Sequence, residues 1–144
     1  MSNIILDTCF WRAIYDARDA HYEIAQLISK KYIDNTAYKI LVPYPTMYEL
    51  LRTEFVKNKA ILNAVATLLN KDCFDKVCDA AYRDQALELT FKCNTRNLSV
   101  VDNLIRLMIE DVNLRIKGVV TFNVGDFDDL CRAKSITLID NPYY

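Results

Sequence analysis

Histidine is nearly absent from this chain: His21 is the only one in 144 residues. A paired-histidine ribonuclease mechanism needs one imidazole to take a proton and another to give one, so it is excluded within a single chain, as is a His-rich zinc site. Glycine and proline are also scarce, with two and three copies. That leaves little room for a flexible linker, and one packed domain spanning 1–144 is the expectation. No apolar run approaches the roughly 18 residues a membrane span needs. The opening Met1-Ser2-Asn3-Ile4-Ile5-Leu6-Asp7 has no basic segment ahead of an apolar stretch. A cytoplasmic protein with no membrane partner is therefore expected. Five cysteines (Cys9, Cys73, Cys78, Cys93, Cys131) form no Cys-x-x-Cys pair, and their odd number argues for buried free thiols over a disulfide framework. A basic excess is missing too, because the formal net charge is −1. Proteins that grip duplex nucleic acid through its phosphates usually carry such an excess, so any RNA contact has to be local.

What the chain does have is a core: 52% of its residues are hydrophobic and 26% are charged. Residues 3–6 form a brief apolar run ending abruptly in Asp7, the pattern of a short buried strand. Apolar residues recur at helical spacing over residues 11–33, with an interruption near Asp16. Residues 39–42 read as a second strand, stopped by Pro43-Tyr44-Pro45. Thr46 and Glu49 then fit a capping box, which places Glu49 in the first turn of a helix. Helical patterns follow over residues 59–69 and 80–91. Ser99 reads as an N-cap with Asp102 at the third helical position. Gly118 marks a turn, residues 119–122 a buried strand, 127–131 a short helix and 136–139 a last strand. Strands alternating with helices predict an α/β fold of three layers, α/β/α, around a mainly parallel central sheet.

Ligands of open parallel sheets sit beyond the C-terminal strand ends. Asp7 follows the first strand, Glu49 opens the helix after the second, Asp102 opens a neighbouring helix and Asp126 lies in the turn after residues 119–122. All four can converge on one edge. Singly, Glu49, Asp102 and Asp126 are equally well explained as helix caps or turn residues; an acid closing a buried strand is explained less well in that way. Gathered together, such carboxylates repel one another and call for a cation. Oxygen donors without histidine favour Mg²⁺ or Mn²⁺ and disfavour zinc, although Cys9 stands close to Asp7.

These residues also resemble a known family. Ile4-Ile5-Leu6-Asp7-Thr8 is similar to the opening strand and first acid of PIN domains, Tyr44-Pro45-Thr46-Met47-Tyr48-Glu49-Leu50 to their second acidic motif, Leu98-Ser99-Val100-Val101-Asp102-Asn103-Leu104-Ile105 to their third, and Val120-Thr121-Phe122-Asn123-Val124-Gly125-Asp126-Phe127 to their last. The match runs in order from residue 4 to about residue 142, and its nearest variety is the small VapC-like toxins of bacteria and archaea. The resemblance implies metal-dependent endonucleolytic cleavage of RNA, a homodimer, and inhibition by an antitoxin whose peptide covers the active site. Two positions depart from it. Asn123 stands where many members have an acid, which leaves the fourth role open among Asp126, Asp128, Asp129 and none of them. Cys9 stands where a small polar residue is common.

The expected mechanism has Asp7, Glu49 and Asp102 holding one or two ions, with Asn123 and Asp126 completing the shell directly or through water. On the substrate side, Thr8 and Thr121 are candidates to orient a carboxylate or a water. Trp11, Arg12 and Arg52 are candidates to meet a base or a phosphate, with core packing of Trp11 and solvation of the arginines as the alternative. Tyr143 and Tyr144 read as an exposed end. Two rival readings stand beside this one: a non-catalytic PIN-like module that binds RNA or protein, suggested by Asn123 and the missing basic excess, and a metal-dependent phosphatase acting on small phosphoesters.

Overall fold

A computed structural model describes residues 2–35, 37–92 and 96–143. Its centre is a five-stranded sheet in the order β3-β2-β1-β4-β5, formed by β1 (Ser2–Leu6), β2 (Tyr38–Pro43), β3 (Phe74–Val77), β4 (Ile116–Val120) and β5 (Thr137–Ile139). All four pairings are parallel, so the expected mainly parallel sheet is parallel throughout. Strand order grows outward from β1 in one direction through β2 and β3, then in the other through β4 and β5. The C-terminal ends of β1 and β4 therefore flank the switch point, where open α/β sheets leave a crevice.

Strand alternation divides the core between two faces. Ile4, Leu6, Ile40, Val42, Val120 and Ile139 belong to one apolar cluster, and Ile5, Leu41, Val119 and Leu138 to the other. The first cluster takes in α1 (Thr8–Tyr15), α2 (Tyr22–Ile28) with its π-helical extension Ser29–Ile33, α3 (Tyr44–Leu50) and α5 (Lys59–Leu69); the second takes in α7 (Val100–Glu110) and α8 (Val124–Lys134). This is the expected α/β/α sandwich. Two more helices, α4 (Thr53–Val56) and α6 (Arg83–Lys92), complete the described α-helices. The interruption expected near Asp16 is real: the Asp16 and Asp19 carboxylates accept from the backbone amides of Arg18 and His21 at 3.0 and 2.8 Å. Such Asx turns compete with helical bonding.

Several expectations need correction. Strand β3 was not legible: Phe74-Asp75-Lys76-Val77 does not alternate, because it is an edge strand held mainly by backbone pairing to β2, and its charges suit an edge. Gly118 is not a turn. It lies inside β4, opposite Ile4 and Thr137, where a Cβ would come within 3.1 Å of the Ile139 side chain. The bend before β4 is made by Arg115, which carries a φ of 50°. Strand β4 ends at Val120 instead of Phe122, and α8 is longer than the expected 127–131. Of the described thiols only Cys131 is fully buried, and Cys78 is exposed; Cys93 and Tyr144 lie outside the described residues. Trp11 is core, with no exposed surface, so it is not a base-stacking platform. No described helix is long and apolar enough to cross a membrane.

Phe127 is fully buried between α8 and the sheet, whereas Tyr143 is 85% exposed. Phe127→Ala is expected to cost about 3–5 kcal/mol, and Tyr143→Ala to stay within about 0.5 kcal/mol. Urea unfolding measures both, and equal midpoints would contradict this placement of α8.

Candidate active site

The first acid is built into the fold at the switch point. Asp7 follows the last residue of β1, and its backbone amide extends the ladder by donating to the Val120 carbonyl at 3.0 Å. Its side chain is 4% exposed. It N-caps α1, accepting from the Thr8 amide at 2.7 Å through Oδ1. Through Oδ2 it accepts from the Thr121 hydroxyl at 2.9 Å and from the Cys9 thiol at 3.4 Å. Burial pushes the Asp7 carboxyl above its ordinary 3.8, and the charge of Asp102 adds to that push; the Thr121, Cys9 and Thr8 donors pull the other way. Burial, reinforced by the charge of Asp7, pushes the Cys9 thiol up to about 12. The thiol therefore stays protonated and can act as a donor.

Glu49 is held by a different device from the one the sequence suggested. The helix begins at Tyr44, with Pro43 as its N-cap. The Thr46 hydroxyl donates to the Pro43 carbonyl at 2.6 Å instead of capping an amide. No capping box forms, and Glu49 stands in the second turn, because Pro43 and Pro45 start the helix earlier than the Thr46 pattern implied. The Glu49 side chain is oriented by Thr8, whose hydroxyl donates to Oε1 at 2.6 Å. Thr8 thus links two acids, its amide on Asp7 and its hydroxyl on Glu49.

Asp102 stands where the sequence put it. It completes a capping box at α7, its carboxylate accepting from the Ser99 amide at 3.0 Å while the Ser99 hydroxyl accepts from the Asp102 amide at 3.1 Å. Asp126 lies in the first turn of α8. Its carboxyl is pushed above the ordinary value by burial and by the charge of Asp102, against the pull of Arg106 and Arg96. Asp102 is therefore within electrostatic reach of both Asp7 and Asp126. Asn123 is an exposed N-cap whose side chain makes no capping bond, and its amide donates to the Thr121 hydroxyl at 3.0 Å. The other candidates for the fourth role are engaged elsewhere: Asp129 takes a two-pronged bond from Arg106 at 2.9 Å, and Asp128 pairs with Arg132 at 3.1 Å.

Thr8 and Thr121 are both buried, with hydroxyls on carboxylates. Arg12 is exposed, and its guanidinium reaches the Glu49 carbonyl at 3.5 Å. With Arg52, Tyr15 and Phe55 it lines an open groove of about 540 Å³, whose lining includes none of Asp7, Glu49, Asp102 and Asp126. Arg106, within α7, and Arg96, ahead of it, were missed by sequence reasoning, since arginines on or beside an amphipathic helix give the same signal as solvated charges.

The donor set is oxygen with one protonated thiol, which suits a hard divalent ion. Among the described residues no three acids, cysteines or histidines stand close enough to cage a metal by themselves.

Because Asp7 titrates above its ordinary value, folding is favoured by its protonation. That contribution is fully present below the ordinary value and is lost as pH rises through the raised one. In metal-free buffer the melting temperature of Asp7→Asn, relative to wild type, is therefore expected to rise as pH climbs from about 4 to about 7. A difference that is flat or falls with pH would refute the buried-charge account.

No protein-family model matches the chain, and no curated protein sequence matches it. Among solved structures, the chain is similar to Mycobacterium tuberculosis VapC20, a Sarcin-Ricin loop cleaving toxin. The two are 20% identical, the match covers 88% of this chain and 94% of that one, and the TM-score is 0.65. That likeness, over a sheet and helix arrangement built from the residues that carry the sequence resemblance, gives the chain the PIN-domain fold.

Proposed function

We propose that this chain is a divalent-metal-dependent endoribonuclease, the toxin of a toxin-antitoxin pair acting in the cytoplasm. The observation that carries the reading is the buried Asp7 carboxylate at the switch point, tied through Thr8 to Glu49 and close enough to Asp102 for their charges to interact. Burying that charge is costly, and a fold that retains several repelling acids at one sheet edge is well suited to a cation. VapC20, which shares the fold, is a toxin that cleaves the Sarcin-Ricin loop. An antitoxin protein is the corresponding partner.

In this reading Asp7, Glu49, Asp102 and Asp126 surround Mg²⁺ or Mn²⁺ and, like Asn123, reach it in part through bound waters, since no three of the described acids stand close enough to cage an ion by themselves. The ion, when bound, lets a water give up its proton near neutral pH and offsets the negative charge that collects on the phosphate oxygens. Thr121 and Thr8 fix the Asp7 carboxylate with both oxygens engaged, and Thr8 sets the direction of Glu49. Arg12, an exposed cation that reaches the Glu49 carbonyl, is the residue proposed to meet a phosphate of the RNA strand, a local contact of the kind an acidic chain needs.

Purified wild-type protein is expected to cut RNA with Mg²⁺ or Mn²⁺, to stop in excess EDTA and to resume when the metal is restored. Asp7→Asn is expected to lose at least about 100-fold in rate. Thr8→Ala is expected to raise the metal concentration for half-maximal cleavage by about 10–100-fold, as loss of a group orienting metal ligands does. Gel assays on a structured RNA decide the matter. Equal cleavage by wild type and Asp7→Asn would sink the catalytic reading and favour a non-catalytic binding module, for which the exposed Asn123 in place of an acid is the supporting feature. Preferential turnover of a small phosphoester would favour the phosphatase.

A further inference from the structure

Asp102 and Arg106 stand four residues apart on α7 and so share one face of that helix. The Arg106 guanidinium directs its bonds across to α8. Nη1 donates to the Asp126 carbonyl at 2.8 Å and to Asp129 Oδ1 at 2.9 Å, while Nη2 donates to Asp129 Oδ2 at 2.9 Å. Its side chain is 18% exposed and that of Asp129 is 40% exposed, so the guanidinium is largely covered while the carboxylate it grips is partly open to solvent. Arg96, just ahead of α7, closes on the same carboxylate at 2.7 Å. A planar fork that takes a carboxylate and a backbone carbonyl from one helix fixes that helix in orientation as well as distance. The carbonyl it takes belongs to Asp126. Asp126 is the third residue of α8, as Asp102 is of α7. Like charges in the first turns of two packed helices favour separation at that end, and the attachment one turn further along α7 opposes it.

We propose that Arg106 is a positioning residue, which clamps α8 to α7 through Asp129 and the Asp126 carbonyl and so holds the Asp126 carboxylate beside Asp102 in the metal site. The proposal rests on the acid-site reading given above. It assigns Asp129 to the clamp and not to the ion, and makes Asp126 the acid whose contribution depends on a cation elsewhere in the chain. It requires no contact between Arg106 and RNA.

The test is Mn²⁺ binding to the full chain, followed by the paramagnetic resonance of free Mn²⁺, alongside RNA cleavage as a function of Mn²⁺ concentration. Arg106→Gln and Asp129→Asn remove the clamp from its two sides. Each is expected to weaken Mn²⁺ binding by about 10-fold or more and to raise the Mn²⁺ needed for half-maximal cleavage, with a smaller change in kcat at saturating Mn²⁺. Arg106→Lys keeps the charge without the fork and should fall between wild type and Arg106→Gln. In an Asp126→Asn background, Arg106→Gln should add nothing, because its effect passes through Asp126. Additive losses in that double variant would overturn the proposal, as would wild-type Mn²⁺ affinity in both single variants. If circular dichroism finds Arg106→Gln unfolded, Asp129→Asn with its own Asp126→Asn double carries the same comparison. Loss of Mn²⁺ binding in Asp7→Asn with none in the clamp variants overturns this proposal alone. Equal Mn²⁺ binding by wild type and Asp7→Asn overturns the acid-site reading and this proposal with it.

Discussion

A carboxylate at the end of the middle strand, 4% exposed and flanked by apolar cores on both faces of the sheet, sets the terms for everything around it. Desolvating an ionised group costs several kcal/mol unless donors or a counter-charge compensate. The three donors come from two segments: the first turn of α1 supplies the Thr8 amide and the Cys9 thiol, and the residue after β4 supplies the Thr121 hydroxyl. Each of these groups is itself committed. The Thr121 hydroxyl also receives the Asn123 amide, which sets the path of the chain into α8. The Thr8 hydroxyl reaches Glu49 on α3. The Cys9 sulfur also receives the Phe122 amide at 3.4 Å. Neutralising a single buried charge thus ties together the turns that follow β1, β2 and β4.

The parts of this arrangement that were legible in the sequence are those in which local chemistry and tertiary role coincide. Asp7 was legible because an apolar run of strand length ends in an acid, and Asp102 because Ser99 and Asp102 form a local capping box that survives in the fold. Helix α5 matched to the residue because Asn58 caps it and its apolar positions keep helical spacing. Where the two levels part, the local pattern misled. Thr46 and Glu49 have capping-box spacing, yet the prolines start the helix earlier and Thr8, 41 residues upstream, claims the glutamate. Gly118 has the composition of a turn, but its missing side chain makes room for Ile139 in the neighbouring strand. Strand β3 has no alternation to read, since it faces a partner on one side only.

A net charge of −1 conceals an uneven distribution of charge over the chain. Arg96 and Arg106 are drawn to Asp129 behind the acids, and Arg132 to Asp128. Arg12 and Arg52 line the groove on the α1-α3 side. Arg96, Arg106 and Arg132 are thus committed to carboxylates of α8, whereas the arginines of the groove share its lining with Asp16, Asp19 and Glu54. Formal net charge averages over this asymmetry, so it excluded a broad phosphate-gripping surface but carried no information about a narrow one.

The alternation in β1 has a further consequence. Ile4 and Leu6 belong to one core and Ile5 to the other, so a shift of this strand by a single residue would exchange the side chains between faces along its whole length. Such a shift would also carry Asp7 away from Val120 and Thr121. Hydrophobic sorting across the sheet therefore works as a gauge for the acid's position, and the fold has no intermediate setting in which the core is packed while the carboxylate is out of place. Over evolutionary time the surface segments can lengthen or shorten more readily, but an inserted or deleted residue in this strand disturbs the core and the acid's setting in the same step.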